Sequence, residues 1–180
     1  MKKPSIILYT ARSRYWSVFD GFLAGQGLSL GKLVEGDKRL FAISRPGASY
    51  DEVFLASGRV YRLLEKLDIE TIYSLGLYAG MIKPGSWFKP SLPLAHYLAP
   101  LCRGEINCIA VDGIGEKFFL YGRRVVEPRI ARWRRGLSLV INVLGEALGW
   151  GIGKIANIGG KTRRVVEPVW DMGWYLRRGG

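Results

Sequence analysis

Histidine occurs once in these 180 residues and cysteine twice. Most zinc sites and any dense disulfide framework are excluded by that supply alone. Acid is also scarce: 15 Asp and Glu face 27 Lys and Arg, a net charge of +12. Such a chain favours a polyanionic partner. No apolar run is long enough to cross a bilayer, because the most apolar stretch, 137–160, is broken by Asn142, Glu146 and Lys154. The opening residues have Lys2 and Lys3 before Ile6, Ile7 and Leu8, but the run stops at Thr10 and Arg12. That is too short for the apolar core of a signal peptide, so it reads as a first strand. The expected location is the cytoplasm.

Catalytic signatures are missing as well. There is no G-x-S-x-G pentapeptide. Asp20, Asp37, Asp51 and Asp171 follow no recurring spacing, and Asp112, Gly113 and Gly115 suggest a turn with an acidic residue. His96 sits among Leu94, Leu98 and Leu101 with no acid at i+3 or i+4, so it reads as a buried or half-buried, hydrogen-bonded side chain. Two phosphate-loop look-alikes fail. The segment 149–154 is a residue short and is followed by Ile155 in place of the hydroxyl, and the segment 160–162 would need its first glycine at Ile155. No enzyme activity, cofactor or metal is expected. The alternating Gly149, Gly151 and Gly153 instead fit a strand or bulge where another backbone passes closely, and where a nucleotide has room to approach.

What is present is folded-protein composition, 48% apolar and 23% charged. A single core of this length would bury ~70% of the extended chain's surface, so it needs no metal or disulfide to hold it. Cys102 and Cys108 accordingly read as two small buried thiols, with a disulfide as the alternative. Short strand signals fall at 6–9, 40–43, 53–55, 106–111, 118–121, 139–144 and 165–169. Helical periodicity appears at 15–23, 60–67 and 93–101, the second carrying a stripe of Val60, Leu63, Leu64 and Leu67. A short helical turn fits 128–133. The pattern predicts an α+β fold: a mixed N-terminal domain over 1–97, then a nearly all-strand domain over 98–180.

Charge is concentrated in the second part. Ten basic residues lie between Arg123 and Arg164 against Glu127 and Glu146. They form two clusters, Arg132, Arg134 and Arg135 around Trp133, and Lys154, Lys161, Arg163 and Arg164 around a turn at Gly159 and Gly160. Arginine offers a two-pronged fit to phosphate oxygens and lysine a movable point charge. If exposed on one face, the two clusters would form a groove wall several phosphates long. Trp133 reads as a plug in the core below the arginines, with base stacking as the alternative. Trp170, Trp174 and Tyr175 read as a patch that pins the tail. The hexapeptide RRVVEP occurs twice, at 123–128 and 163–168, each copy a strand start closed by proline. Coincidence between two similar strand starts is the plainer account, with structural duplication as the alternative.

Residues 74–100, 118–130, 148–156 and 171–177 together resemble the Nip7 family of ribosome-biogenesis proteins, in order and spacing, over roughly residues 50–180. The resemblance implies an N-terminal α+β domain followed by a PUA domain, a small RNA-binding pseudo-barrel. It implies a non-catalytic assembly factor for the large ribosomal subunit, with rRNA or a pre-ribosomal particle as partner. It places RNA on a basic patch after the glycine-rich element, which falls here on Lys154, Lys161, Arg163 and Arg164. Val165, Glu167 and Pro168 after the arginine pair depart from the family's usual order of basic, acidic and proline residues. The N-terminal domain is left to hold a protein or a second RNA surface, and the free protein is expected to be a monomer away from membranes. A stand-alone PUA-type adaptor delivering tRNA or rRNA to a modifying enzyme is the alternative. An RNA-modifying enzyme would require a titratable pair or cofactor loop that the sequence does not show.

Overall fold

A computed structural model describes residues 4–11, 13–64, 66–67, 72, 74–104, 106–174 and 177. The chain divides into two units, Met1–Leu94 and Ala95–Gly180. The sequence reading sets the boundary three residues later, within the same helix.

The first unit is an antiparallel meander of β1 (Ser5–Leu8), β2 (Arg39–Ser44), β3 (Asp51–Ala56), β4 (Leu77–Lys83) and β5 (Trp87–Pro90), in that order across the sheet. Period-two alternation sends Phe41, Ile43, Phe54 and Ala56 to one face, where they bury against Leu64 and Ile72. The helix α1 (Ser17–Gln26) packs Phe19 and Phe22 against Phe88 of β5, with ring centroids 4.8 and 4.9 Å apart. It ends at Gly27, whose φ of 73° lets the chain turn back so that the Leu28 N–H reaches the Leu23 carbonyl. A single helical turn, α2 (Leu30–Leu33), follows. The helix α3 (Gly58–Leu63) is capped by the Ser57 hydroxyl, which accepts from the Val60 N–H. Its expected stripe is only partly buried: Leu64 packs inward while Leu63 and Leu67 are exposed. The helix α4 (Leu92–Leu98) carries the chain into the second unit and tightens to a 3₁₀ turn over Ala99–Arg103.

In the second unit six strands are ordered β7-β11-β10-β9-β6-β8 in a nearly closed barrel. They are β6 (Ile109–Val111), β7 (Val125–Val126), β8 (Ile130–Arg132), β9 (Gly136–Asn142), β10 (Ala147–Ile158) and β11 (Lys161–Asp171). All pairs are antiparallel except β6 with β9. Ile109, Val111, Val125, Val140, Leu148 and Val166 fill the interior together with Phe119.

Three expectations are corrected here. The segment 118–121 is not a strand but the end of the helix α5 (Gly113–Leu120), which lays Phe119 into the barrel. The helix starts because the Asp112 carboxylate accepts from the Ile114 and Gly115 N–H groups at 3.1 and 2.7 Å, satisfying donors that strand pairing would otherwise take. The segment 128–133 holds no helix, because pairing of Ile130 with Val111 and of Arg132 with Ala110 extends it as β8. Finally, Cys102 and Cys108 are buried as expected but bonded to each other, the chain turning back within six residues to bring their Cα atoms to 5.6 Å.

Asp112 is held below the ordinary carboxylate range by the Gly115 N–H first and then by the Arg129 guanidinium at 3.3 Å. Its folded pKa lies below its unfolded one, so its stabilisation is present above the unfolded value and is lost as pH falls through the folded value. Asp112→Ala is expected to cost about 1 kcal/mol at neutral pH. In thermal unfolding, the gap between the unaltered chain and the variant should narrow as pH is lowered below the ordinary carboxylate range. A gap of constant size would show that the charge on the cap contributes nothing.

Candidate nucleic-acid interface

One of the two basic clusters lies on the hairpin of β10 and β11. Its loop is two residues, Gly159 and Gly160, with φ of 58° and 76°. Two consecutive positive φ angles are what a type I′ turn requires, and its twist matches that of the strands it joins. Below the turn the register pairs Ile158 with Lys161, Ala156 with Arg163, and Lys154 with Val165. Directly opposed residues share a face, so Lys154, Lys161 and Arg163 lie together. Arg164 pairs with Ile155 and belongs to the other face. Three of the four expected contacts therefore form one row, and the fourth is separated from them by the alternation of the strand.

Arg164 has a different task. Its guanidinium carbon lies 5.6 Å from the centre of the Trp133 ring. Trp133 is half-buried against the barrel core and donates from its indole nitrogen to the Val165 carbonyl at 3.3 Å. The plug reading holds for Trp133, and the cation above it closes that end of the barrel.

The two RRVVEP copies are neighbours. Val125 pairs with Val166 and Val126 with Val165, so the copies run antiparallel, and the Glu127 N–H reaches the Arg164 carbonyl. Continuing the same register brings Arg124 of the first copy opposite Glu167 of the second, with Nη2 and Oε1 2.5 Å apart. Lys154 approaches the other oxygen of Glu167 at 2.6 Å. Lys154 first, then Arg124, holds this carboxyl below its usual range. Two cations thus share one anion, which leaves one net positive charge beside Lys161 and Arg163. Arg124 was not among the expected contacts; the signal that finds it is the repeat read as a strand pair.

The second cluster does not extend this row into the expected groove wall. Arg132 donates from Nε to the Cys108 carbonyl at 2.9 Å and from Nη2 to the Cys102 carbonyl at 3.1 Å. Arg134 donates to the Asn107 carbonyl at 3.4 Å. Both guanidinium groups are engaged by the carbonyls of the loop that the disulfide closes, and Arg135 alone of the three has no hydrogen bond or ion pair among the described residues. It is exposed.

The glycines of β10 are occupied by the protein itself. A Cβ at Gly153 would collide with the Arg134 carbonyl, one at Gly149 with the Trp170 carbonyl, and one at Gly151 would lie 2.9 to 3.0 Å from Val140, Val166 and Phe119. The close backbone passage expected of them is present, but a nucleotide has no room there. His96, expected to be buried or half-buried, is exposed on α4 at the edge of an open groove of about 780 Å³ that Arg103 and Glu116 also line. At the C-terminus the Trp170 and Trp174 rings stack at 6.0 Å, and Arg177 makes a two-pronged contact with Asp171, both bonds 2.9 Å. Tyr175 lies outside the described residues. Among the described residues no group of His, Cys, Asp and Glu could hold a metal ion, and no helix is long and apolar enough to cross a membrane.

The family model for the UPF0113 PUA domain matches residues 107–180, the whole of the barrel and α5. A UPF0113 protein of Aeropyrum pernix is 39% identical over 161 residues, which covers 89% of this chain and 86% of that protein.

The shared carboxylate yields a direct test. Glu167→Gln removes the anion and leaves Lys154 and Arg124 available to phosphate. Binding of an unpaired RNA strand should tighten, and the slope of log affinity against log salt should steepen by about 0.7 for each additional phosphate neutralised. An unchanged slope would place both cations off the path of the RNA.

Proposed function

Because the chain belongs to the UPF0113 family of PUA-domain proteins, we propose that it is an RNA-binding assembly factor for the large ribosomal subunit, of the Nip7 type. It works in the cytoplasm by binding alone, without catalysis. The observation that carries this reading is the row of Lys154, Lys161 and Arg163 on one face of the β10–β11 hairpin, joined by Arg124 from β7. The PUA domain supports RNA as the ligand class, and the row supports this hairpin as its contact.

Lys161 stands at the turn and Arg163 two residues further along the same face, so their charges follow a strand direction as phosphates follow a backbone. Phosphate contact of this kind gives affinity without sequence choice. The rigid barrel below limits the shapes that fit, which favours flexible or single-stranded rRNA over a regular helix whose phosphates are fixed. The protein docks on the precursor particle as a monomer, with the N-terminal unit available to a protein partner.

The test uses the full chain and the variant Lys161→Ala with Arg163→Ala, titrated against a uridine-rich single strand and a tRNA at two salt concentrations. The unaltered chain should prefer the single strand. The variant should lose affinity and reduce the salt slope by about 1.4, as two phosphates are no longer neutralised. In cell extract, only the unaltered chain should sediment with large-subunit precursors. Equal binding by both proteins would overturn the interface, and a preference for tRNA would overturn the assembly role in favour of an adaptor that delivers RNA to a modifying enzyme.

A further inference from the structure

The N-terminal sheet carries two exposed aromatic rings that its own core does not use. Because β3 pairs with β4, Asp51 opposite Ile82, the tips of the β2–β3 and β4–β5 hairpins stand side by side. Tyr50 is one step beyond Asp51, Lys83 one step beyond Ile82, and Lys83 pairs with Trp87. The three form a row across neighbouring strands on one face. Further along that face Phe54 is buried, with Leu64 among its cluster. At the hairpin end, Tyr50 and Trp87 are each 38% exposed, with ring centres 6.4 Å apart and planes inclined by 47°.

Beside Tyr50 lies a hollow of about 560 Å³ lined by Ile43, Arg45, Ser49 and Glu52. Arg45 is steadied there by the Glu52 carboxylate at 3.5 Å and by donation to the Ile72 carbonyl at 2.5 Å. The hollow thus has a donor, a hydroxyl and an acceptor around an apolar floor. Its carboxylate repels a phosphate, whereas exposed Lys83 on the rim attracts one. That division suits a nucleotide whose base turns inward and whose backbone passes outside.

We propose that Tyr50 and Trp87 form a second RNA site, a stacking platform for unpaired bases, with Lys83 holding the backbone and the Arg45–Glu52 hollow receiving a base edge. A base needs only an accessible ring face, and both side chains are more than a third exposed. A protein anchor would need rings enclosed by other apolar groups, and here the turn residues before each ring are Ser49 in one hairpin and Pro84, Gly85 and Ser86 in the other. The site rests on RNA being the ligand, as argued above, but uses none of the charges on the β10–β11 hairpin.

The experiment compares full-length Tyr50→Ala, Trp87→Ala and Trp87→Phe with the unaltered chain, on a fluorescent unpaired RNA and on a strand of equal length built from abasic residues. Each alanine variant should bind the RNA about tenfold more weakly with the salt slope unchanged, and should bind the abasic strand as the unaltered chain does. Trp87→Phe, which keeps a ring, should stay within a few-fold of the unaltered chain. A loss with Trp87→Phe equal to that with Trp87→Ala, or an equal loss on the abasic strand, would overturn stacking. Full affinity in both alanine variants, alongside a loss in the Lys161 and Arg163 variant, would overturn this site and leave the hairpin interface standing. The reverse pattern would overturn the hairpin interface and leave this site.

Discussion

In the middle of β10, the Arg134 carbonyl lies where a Cβ of residue 153 would be, and only glycine leaves that space. The passage lets the segment between β8 and β9 cross tightly over the longest strand of the barrel. With the crossing in place, Trp133 reaches the Val165 carbonyl, Arg164 settles over the indole, and that end of the core is closed. Any side chain at 153 would force the crossing outward and open the interior to water, since interiors pack too densely to absorb a displaced carbonyl. The same device recurs at Gly149, where the approaching backbone is Trp170. The barrel's shape therefore depends on missing atoms as much as on the apolar side chains that fill it.

The same crossing sorts the positive charge. Arg132 and Arg134 are drawn to carbonyls of the loop between Cys102 and Cys108, groups that need a donor when the chain turns tightly. Arg124 and Lys154 are held by Glu167. Of the local excess, Lys161 and Arg163 are left on one face of the hairpin, and Arg135 stands exposed apart from them. Net charge counts all of these alike, whereas binding draws on those whose hydrogen bonds are not already committed.

Much of this architecture was legible in the residues. The short apolar runs at 40–43 and 53–55 mark β2 and β3, and the loss of helical periodicity after Arg103 marks the barrel. The glycine pair at 159 and 160 marks the turn that presents the basic row. The two misreadings of secondary structure have separate causes. In 118–121, Phe118, Phe119, Leu120 and Tyr121 have strand-like composition, but the Asp112 carboxylate, accepting from the Ile114 and Gly115 N–H groups, starts a helix before them and burial of Phe119 completes it. The stretch 128–133 fails as a helix because Val111 and Ala110, some twenty residues earlier in the chain, offer its backbone a partner. The first competitor is a nearby cap whose effect depends on where Phe119 is buried, and the second is a distant strand that no local window shows.

Composition and order alone settled that this chain is basic, poor in metal ligands and built of two dissimilar parts, because those properties are sums and runs along the sequence. Which cations share a face was decided by strand register, since a one-residue step moves a side chain to the opposite side of a sheet. The repeated RRVVEP shows this most plainly. Its presence is a fact of the sequence, but the pairing of Arg124 with Glu167 exists only because β7 and β11 meet antiparallel across the barrel. Contacts between residues some forty positions apart carry no local signal, and it is these contacts that turn an excess of charge into a surface.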